Sequence, residues 1–373
     1  MNTLINCQIN PDFSPFVEAQ KVLVFDPMSW WLEHCLSGYF QLLGLACGWN
    51  GNRLGRLFGI CFLLMVITEL SNQIRRFFRG TETYGKVFTL YFVQSIQSVS
   101  VAYRVLHLGI ALGAIVEGRR SYRLLEELPA MRTRSFLYRQ FVLEMLLICY
   151  ILLVGYWSAE WSGMYLENLR YAYSTQAVRG RYLQIQLLVE RLDYQMELLL
   201  RKAQESDLVD YQNLKADYAR LARLSRRVTH LYGFSLLLLN VLCTGDCLIV
   251  CNVYFMGDYL EYMPENWLLV AMASYVVLPT IYKLSTLCAA CHRCVGKSKL
   301  LQIQLKDRPV HTHNERVQIE EFSLQIMQDP IQFEICGIYH LNLQTLAGVF
   351  FFMLEALVIF MQFVSLIRPP ING

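Results

Sequence analysis

Apolar and polar positions along the 373-residue chain separate into long apolar runs joined by short charged connections. Six runs have the length of a membrane-crossing helix: Arg56 to Ile74, Val87 to Val116, Phe136 to Trp157, Leu231 to Met256, Trp267 to Cys288 and Leu343 to Ile367. The first is short and the second long, so tilt or protrusion is expected. Between Trp157 and Leu231 the weaker stretch SGMYLENLRYAYSTQAV carries Glu167 and Arg170, three residues apart and able to neutralise each other on a helix.

Other segments change period without becoming long enough to cross. From Gln184 to Thr229 apolar residues recur at three and four with charges between them, interrupted by a Ser-Asp-rich break, which predicts helices projecting from the membrane. A second element, ERVQIEEFSLQIMQDPIQFEICGIYHLNLQTL, leads into the last run, and Asp329-Pro330 should break it. Ahead of the first run, WLEHCLSGYFQLLGLACGWN reads as an amphipathic helix at the membrane interface.

Composition and charge then set the class. The chain is 55% hydrophobic, 17% charged and of mean hydropathy +0.32, which marks an integral membrane protein. Its opening residues lack the basic region and apolar core of a cleaved signal peptide. Six Lys and Arg lie between Glu117 and Arg139, ten between Arg179 and Arg227, six between His292 and Asn342, and none in Ser158–Tyr165 or Gly257–Asn266. Basic connections stay cytoplasmic, so the pattern alternates only if the weak stretch also crosses. The expected fold is all-α and polytopic, with seven transmembrane helices, a cytoplasmic N-terminus and an extracellular C-terminus. Arg75, Arg76, Arg79 and Lys86 would lie outside, against the general bias. The domains are a cytoplasmic N-terminus with an interfacial helix (1–55), four crossings (56–183), a cytoplasmic helical region (184–229), two crossings (230–290), a cytoplasmic segment (291–342), a last crossing (343–367) and an extracellular tail (368–373).

Polar residues inside the crossings carry the candidate chemistry. In the last one Gly348, Glu355 and Gln362 recur every seven residues and form one stripe, with Ile359 between them and Phe363 beside it. Three readings of Glu355 stay open: helix packing, a water-filled path in a channel, and a proton or substrate relay. Tyr91, Gln94, Gln97, Ser98, Tyr103, Arg104 and His107 in the second crossing, Glu144 and Tyr150 in the third, and Asn240, Asp246 and Asn252 in the fifth could line a ligand pocket or serve packing. Arg104 could pair with Glu144 or Asp246. The twelve Cys fall mostly in or beside apolar segments, where a thiol is a small hydrophobe rather than part of a secreted disulfide scaffold. CAACHRC, from Cys288 to Cys294, has a zinc-like spacing with His311 and His313 beyond it. Its place at the cytoplasmic end of a crossing favours free or palmitoylated thiols. No phosphate loop, Glu-x-x-His pair or hydrolase elbow is present, so enzymatic chemistry has no support and no cofactor is expected.

The last segment resembles the signature of the insect gustatory receptor family, a Thr-Tyr pair, five apolar residues and Gln-Phe. Here these are Leu357, Val358, Ile359, Phe360, Met361 and Gln362-Phe363, with Glu355-Ala356 in place of Thr-Tyr. FSLQIMQDPIQFEICGIYHLNLQTL is similar to the family's approach to its last crossing, and YFQLLGLACG to its stretch before the first. The resemblance implies a taste receptor that is a ligand-gated, non-selective cation channel, a homo- or hetero-tetramer with related receptors. It would lie in the cell membrane of gustatory receptor neuron dendrites. Its last helix would line the pore (Gly348, Glu355, Ile359, Gln362, Phe363), its cytoplasmic helices would form a shared anchor, and its other crossings would enclose a small-molecule tastant. Monovalent cations, with divalent ions an open addition, are the implied permeants, and nucleic acid is not an expected partner. Bitter or aversive compounds are one ligand class beside sugars and carbon dioxide. A non-conducting co-receptor or assembly subunit is the alternative, ahead of a secondary transporter, for which no internal repeat is evident.

Overall fold

A computed structural model describes residues 27–45, 53–80, 87–128, 134–162, 165–205, 210–256, 266–309 and 312–367. In chain order these form α1 (Pro27–Leu42), α2 (Arg53–Gly80), α3 (Val87–Glu127), α4 (Arg134–Ser162), α5 (Tyr165–Glu205), α6 (Tyr211–Met256), α7 (Asn266–Asp307), α8 (His313–Gln328), a hairpin of β1 (Glu334–Ile335) and β2 (Tyr339–His340), and α9 (Leu343–Ile367). The seven expected crossings fall on α2 to α7 and α9. Among the described residues, three stretches are long and apolar enough to span a membrane: Gln97–Glu117, Phe136–Val154 and Tyr211–Val250. Leu343–Ile359 is a shorter apolar helix.

Helix α5 shows why hydropathy underrates one of the expected crossings. From Ser174 to Gln186 every residue is buried, including Thr175, Gln176, Arg179, Arg181 and Gln184. It packs most extensively on α7 and also meets α1, α3, α4 and α6. Polar side chains are tolerated in such a position when neighbouring helices supply hydrogen-bond partners. Gly180 marks the closest approach: a Cβ there would lie 2.9 Å from Leu45 Cδ1 and 3.1 Å from Leu43 Cδ1.

Helix α1 is more than an interfacial float. Leu32, Leu36, Phe40 and Leu43, spaced by four and three, are buried, while Trp31 is half exposed and meets Phe141 edge-on. Gly44, at φ +72°, ends the helix, with Gly44 N–H donating to Gln41 O and Leu45 N–H to Phe40 O, the two bonds of a Schellman stop. Tyr173 Oη donates to the freed carbonyl of Leu42 at 2.5 Å and Gln184 Nε2 to that of Leu45 at 3.3 Å, which docks α1 against α5.

The region 184–229 is continuous with the helices on either side rather than a separate helical pair, since α5 runs unbroken to Glu205 and α6 runs unbroken from Tyr211. Asp210 opens α6, its carboxylate accepting from the backbone N–H groups of Gln212 and Asn213. An ionic zipper joins α5 to α7 at this level: Arg293 meets Glu190 at 2.6 Å, and Lys297 meets Asp193 at 2.9 Å and Glu197 at 3.0 Å. The hydrogen bond from Lys297 holds the Glu197 carboxyl below its usual range. The folded pKa is therefore depressed, and any stability from this pair is present at neutral pH and lost as pH falls through that lowered value.

Pro330 stops α8 as expected. The chain then becomes extended, with Ile331, Phe333 and Ile335 buried in alternation, and turns at Cys336 and Gly337, both at positive φ. The side chains of Tyr182, Asn240 and Tyr339 form a hydrogen-bonded chain that ties this hairpin, at the foot of α9, to α5 and α6.

Candidate functional site

Two buried ion pairs, each within a hydrogen-bonded cluster, occupy the core formed by α1 and α3 to α7. In the first, Lys283 Nζ on α7 lies 2.7 Å from Glu144 Oε1 on α4, with both side chains almost fully buried. The other carboxylate oxygen accepts from Tyr39 Oη and Gln176 Nε2, each at 2.7 Å, and Gln176 also donates to Tyr39 Oη at 2.8 Å. Four helices thus converge on one carboxylate. In the second, Arg179 lies 3.6 Å from Asp246 Oδ2, donates to the Tyr275 carbonyl at 3.0 Å and stands over the Tyr275 ring. Tyr103 Oη donates to the same Asp246 oxygen at 3.0 Å.

The structure places the candidate pocket residues in three groups. Tyr103 and Glu144 belong to these clusters. Arg104 pairs with neither Glu144 nor Asp246: it bends back to Ser100 on its own helix, while Lys283 and Arg179 take the two acids. His107 is buried, with Nε2 3.1 Å from the Leu43 carbonyl and Nδ1 3.5 Å from Ser174 Oγ, so it helps to seat the end of α1. Tyr150 Oη joins α4 to α7 through the Ala271 carbonyl at 2.7 Å and Ser274 Oγ at 2.6 Å. Gln97 is half buried on α3, one of the lengths of chain where a cavity wall would lie, and Ser98 is exposed beside it. Tyr91, Gln94, Asn252, Glu167 and Arg170 lie on helices, but their side chains fall outside the described residues.

Sequence reasoning missed Gln176, Arg179 and Lys283. Arg179 was counted with the cytoplasmic basic residues, yet it is wholly buried beside Asp246. A lone Lys within the run Trp267 to Cys288 was the available signal, because a cation at that depth requires an acid partner.

Helix α9 presents its polar stripe outward. It packs on α6 and α7 through its other side, leaving Gly348, Glu355, Ile359 and Gln362 exposed in the single chain. Glu355 has no ion-pair partner among the described residues, although it stands between the exposed apolar side chains of Phe351, Leu354 and Val358. Phe363 lies outside the described side chains.

The Cys cluster is packing. Cys288, Cys291 and Cys294 are all buried, spaced by three along the face of α7 that belongs to the main core, and no metal-holding group of His, Cys, Asp and Glu occurs among the described residues. Burial also pushes the thiols of Cys291 and Cys294 well above their usual pKa. The zinc-like spacing is that of a helix face in contact with its neighbours, and His311 lies outside the described residues. Maleimide applied to the folded protein is expected to modify exposed Cys336 and spare Cys291 and Cys294, as read by peptide mapping. Equal labelling of all three would show that this face is open.

Comparison with known proteins agrees with this architecture. A family model described as 7tm Chemosensory receptor matches residues 33–367. Gustatory receptor 9a of Drosophila melanogaster is 55% identical over 344 residues, covering 91% of this chain and 100% of that protein. The insect olfactory receptor OR5 from Machilis hrabei has a similar fold, with a TM-score of 0.58 at 12% identity over 94% of this chain and 100% of the other. The same receptor in complex with eugenol gives a TM-score of 0.54 at 11% identity with the same coverage.

Proposed function

The chain belongs to the 7tm chemosensory receptor family, and from that premise we propose that it is a gustatory receptor acting as a subunit of a ligand-gated, non-selective cation channel. The observation that carries this reading is the outward stripe on α9. A carboxylate without an ion-pair partner among the described residues, set in an apolar helix face, is costly against lipid and is accommodated by water or by another subunit. Symmetric assembly of four chains around α9 would supply both, with the cytoplasmic parts of α5 to α8 meeting their copies as the anchor.

The ligand class favoured is a small organic molecule, in keeping with the eugenol-bound olfactory receptor of similar fold, and bitter or aversive compounds fit it. Tyr103, Arg104, His107 and Glu144 are engaged with protein, so in this reading they shape a ligand site through the packing of α3 on its neighbours rather than by open contact.

The test is ligand-evoked current from cells expressing the chain alone and then with related receptors. Current from the chain alone supports a conducting subunit, whereas current that needs a partner and ignores substitutions on α9 favours a non-conducting one. Topology is checked separately: epitope tags inserted beside Asp207 and Glu261 are expected on opposite sides of the membrane, the first cytoplasmic. Tags on one side would remove α6, the helix between them, as a crossing.

A further inference from the structure

One face of α6 carries Arg223, Arg227, His230, Phe234, Leu238 and Val241 at spacings of four and three, and all six are exposed. Along α3, Val105, Leu112, Val116, Arg120 and Arg123 form a second exposed stripe at spacings of seven, four and three. The two helices pack together, and the exposed ion pair of Arg227 with Glu127, at 3.0 Å, joins the stripes at their lower ends. Since α3 and α6 run in opposite directions, both stripes change from apolar to cationic in the same sense. The changes fall between Val116 and Arg120 and between His230 and Phe234, which are the ends of the apolar runs.

The charge balance leaves this face positive. Glu117 lies 3.8 Å from Arg120 and Glu127 meets Arg227, but Arg123 and Arg223 have no carboxylate partner among the described residues. Guanidinium groups at the bilayer boundary, directly below an apolar track, match a phosphate group with acyl chains above it.

We propose that this face holds an anionic phospholipid of the cytoplasmic leaflet, with its phosphate between Arg123 and Arg223 and its chains along Leu112, Val116, Phe234 and Leu238. A twofold contact with a second copy would bring the cationic stripes together and is disfavoured by like-charge repulsion. The proposal needs α3 and α6 to cross the bilayer, but it does not need the chain to conduct.

The full-length protein, purified in mild detergent, is titrated with phosphatidylserine or phosphatidylcholine, and lipid-bound species are counted by native mass spectrometry. The wild type is expected to retain phosphatidylserine preferentially, and R123Q/R223Q to lose roughly tenfold or more of that affinity, given the worth of each cation at such a surface. R316Q, at an exposed arginine on α8 away from this face, is expected to bind as the wild type does. If the double variant does not fold, R123Q and R223Q are measured singly, each with a smaller expected loss. Equal retention of the two lipids, or undiminished binding in the arginine variants, overturns the proposal. So does efficient disulfide cross-linking between copies bearing F234C, which would show a second chain, or an associated acidic protein protecting Arg123 and Arg223 in its place.

Discussion

Replacing Lys283 with Met is expected to lower stability by about 3 kcal/mol or more, the usual scale for removing one partner of a buried ion pair. Glu144 would keep its hydrogen bonds from Tyr39 and Gln176, each at 2.7 Å, but would lose the only cation shown beside it among the described residues. The charge would then have to be carried in the core or removed by protonation, and either course favours the unfolded form relative to wild type. The double variant E144Q/K283M removes both charges and is expected to recover most of the loss, because the neutral amide introduced on α4 can still accept from Tyr39. The readout is the midpoint of thermal unfolding in detergent for the two single variants and the double variant. A coupling energy near zero in this cycle would mean that the pair contributes nothing specific to the fold.

That pair also shows where sequence reasoning succeeds and where it stops. The alternation of basic connections implied a further crossing between Trp157 and Arg179; the structure has a helix there, α5, which begins at Tyr165. Hydropathy could not see it because α5 is the central helix, whose polar side chains are shielded by other helices instead of by their own apolar character. The identity of the partners was beyond reach for the same reason. Arg104, Arg179 and Lys283 are all candidate cations for Glu144 and Asp246, and only the packing of α4 to α7 decides which meets which. The Cys spacing alone decides nothing, since positions three apart bring side chains onto one helix face as readily as onto a metal. The stripe on α9 was legible from its seven-residue recurrence alone, and its outward exposure follows from the side on which α6 and α7 pack.

Replacing Glu355 with Gln is expected to change cation preference while leaving surface expression normal. The variant keeps the size and hydrogen-bonding capacity of the side chain and removes only its charge. Exposed on α9 and packed against nothing that would collapse, it should cost the fold of the single chain little. In a channel with α9 around the axis, Gln362 lies about 10 Å nearer the outer end than Glu355, from seven residues of helix rise, and both face the same path. Four copies of Gln362 form a neutral polar ring. Four copies of Glu355 form a ring of carboxylates one step deeper in the path. Their negative charge favours cations. Glu355→Gln current is therefore expected to be less cation-selective than wild-type current. Reversal potentials under ionic gradients measure this effect. Cysteines placed at Glu355 and Gln362 are expected to react with water-borne thiol reagents in the assembled channel. A functional E355Q channel with unchanged permeation, together with unreactive cysteines, would instead make the stripe a packing surface and leave the path for ions elsewhere in the bundle.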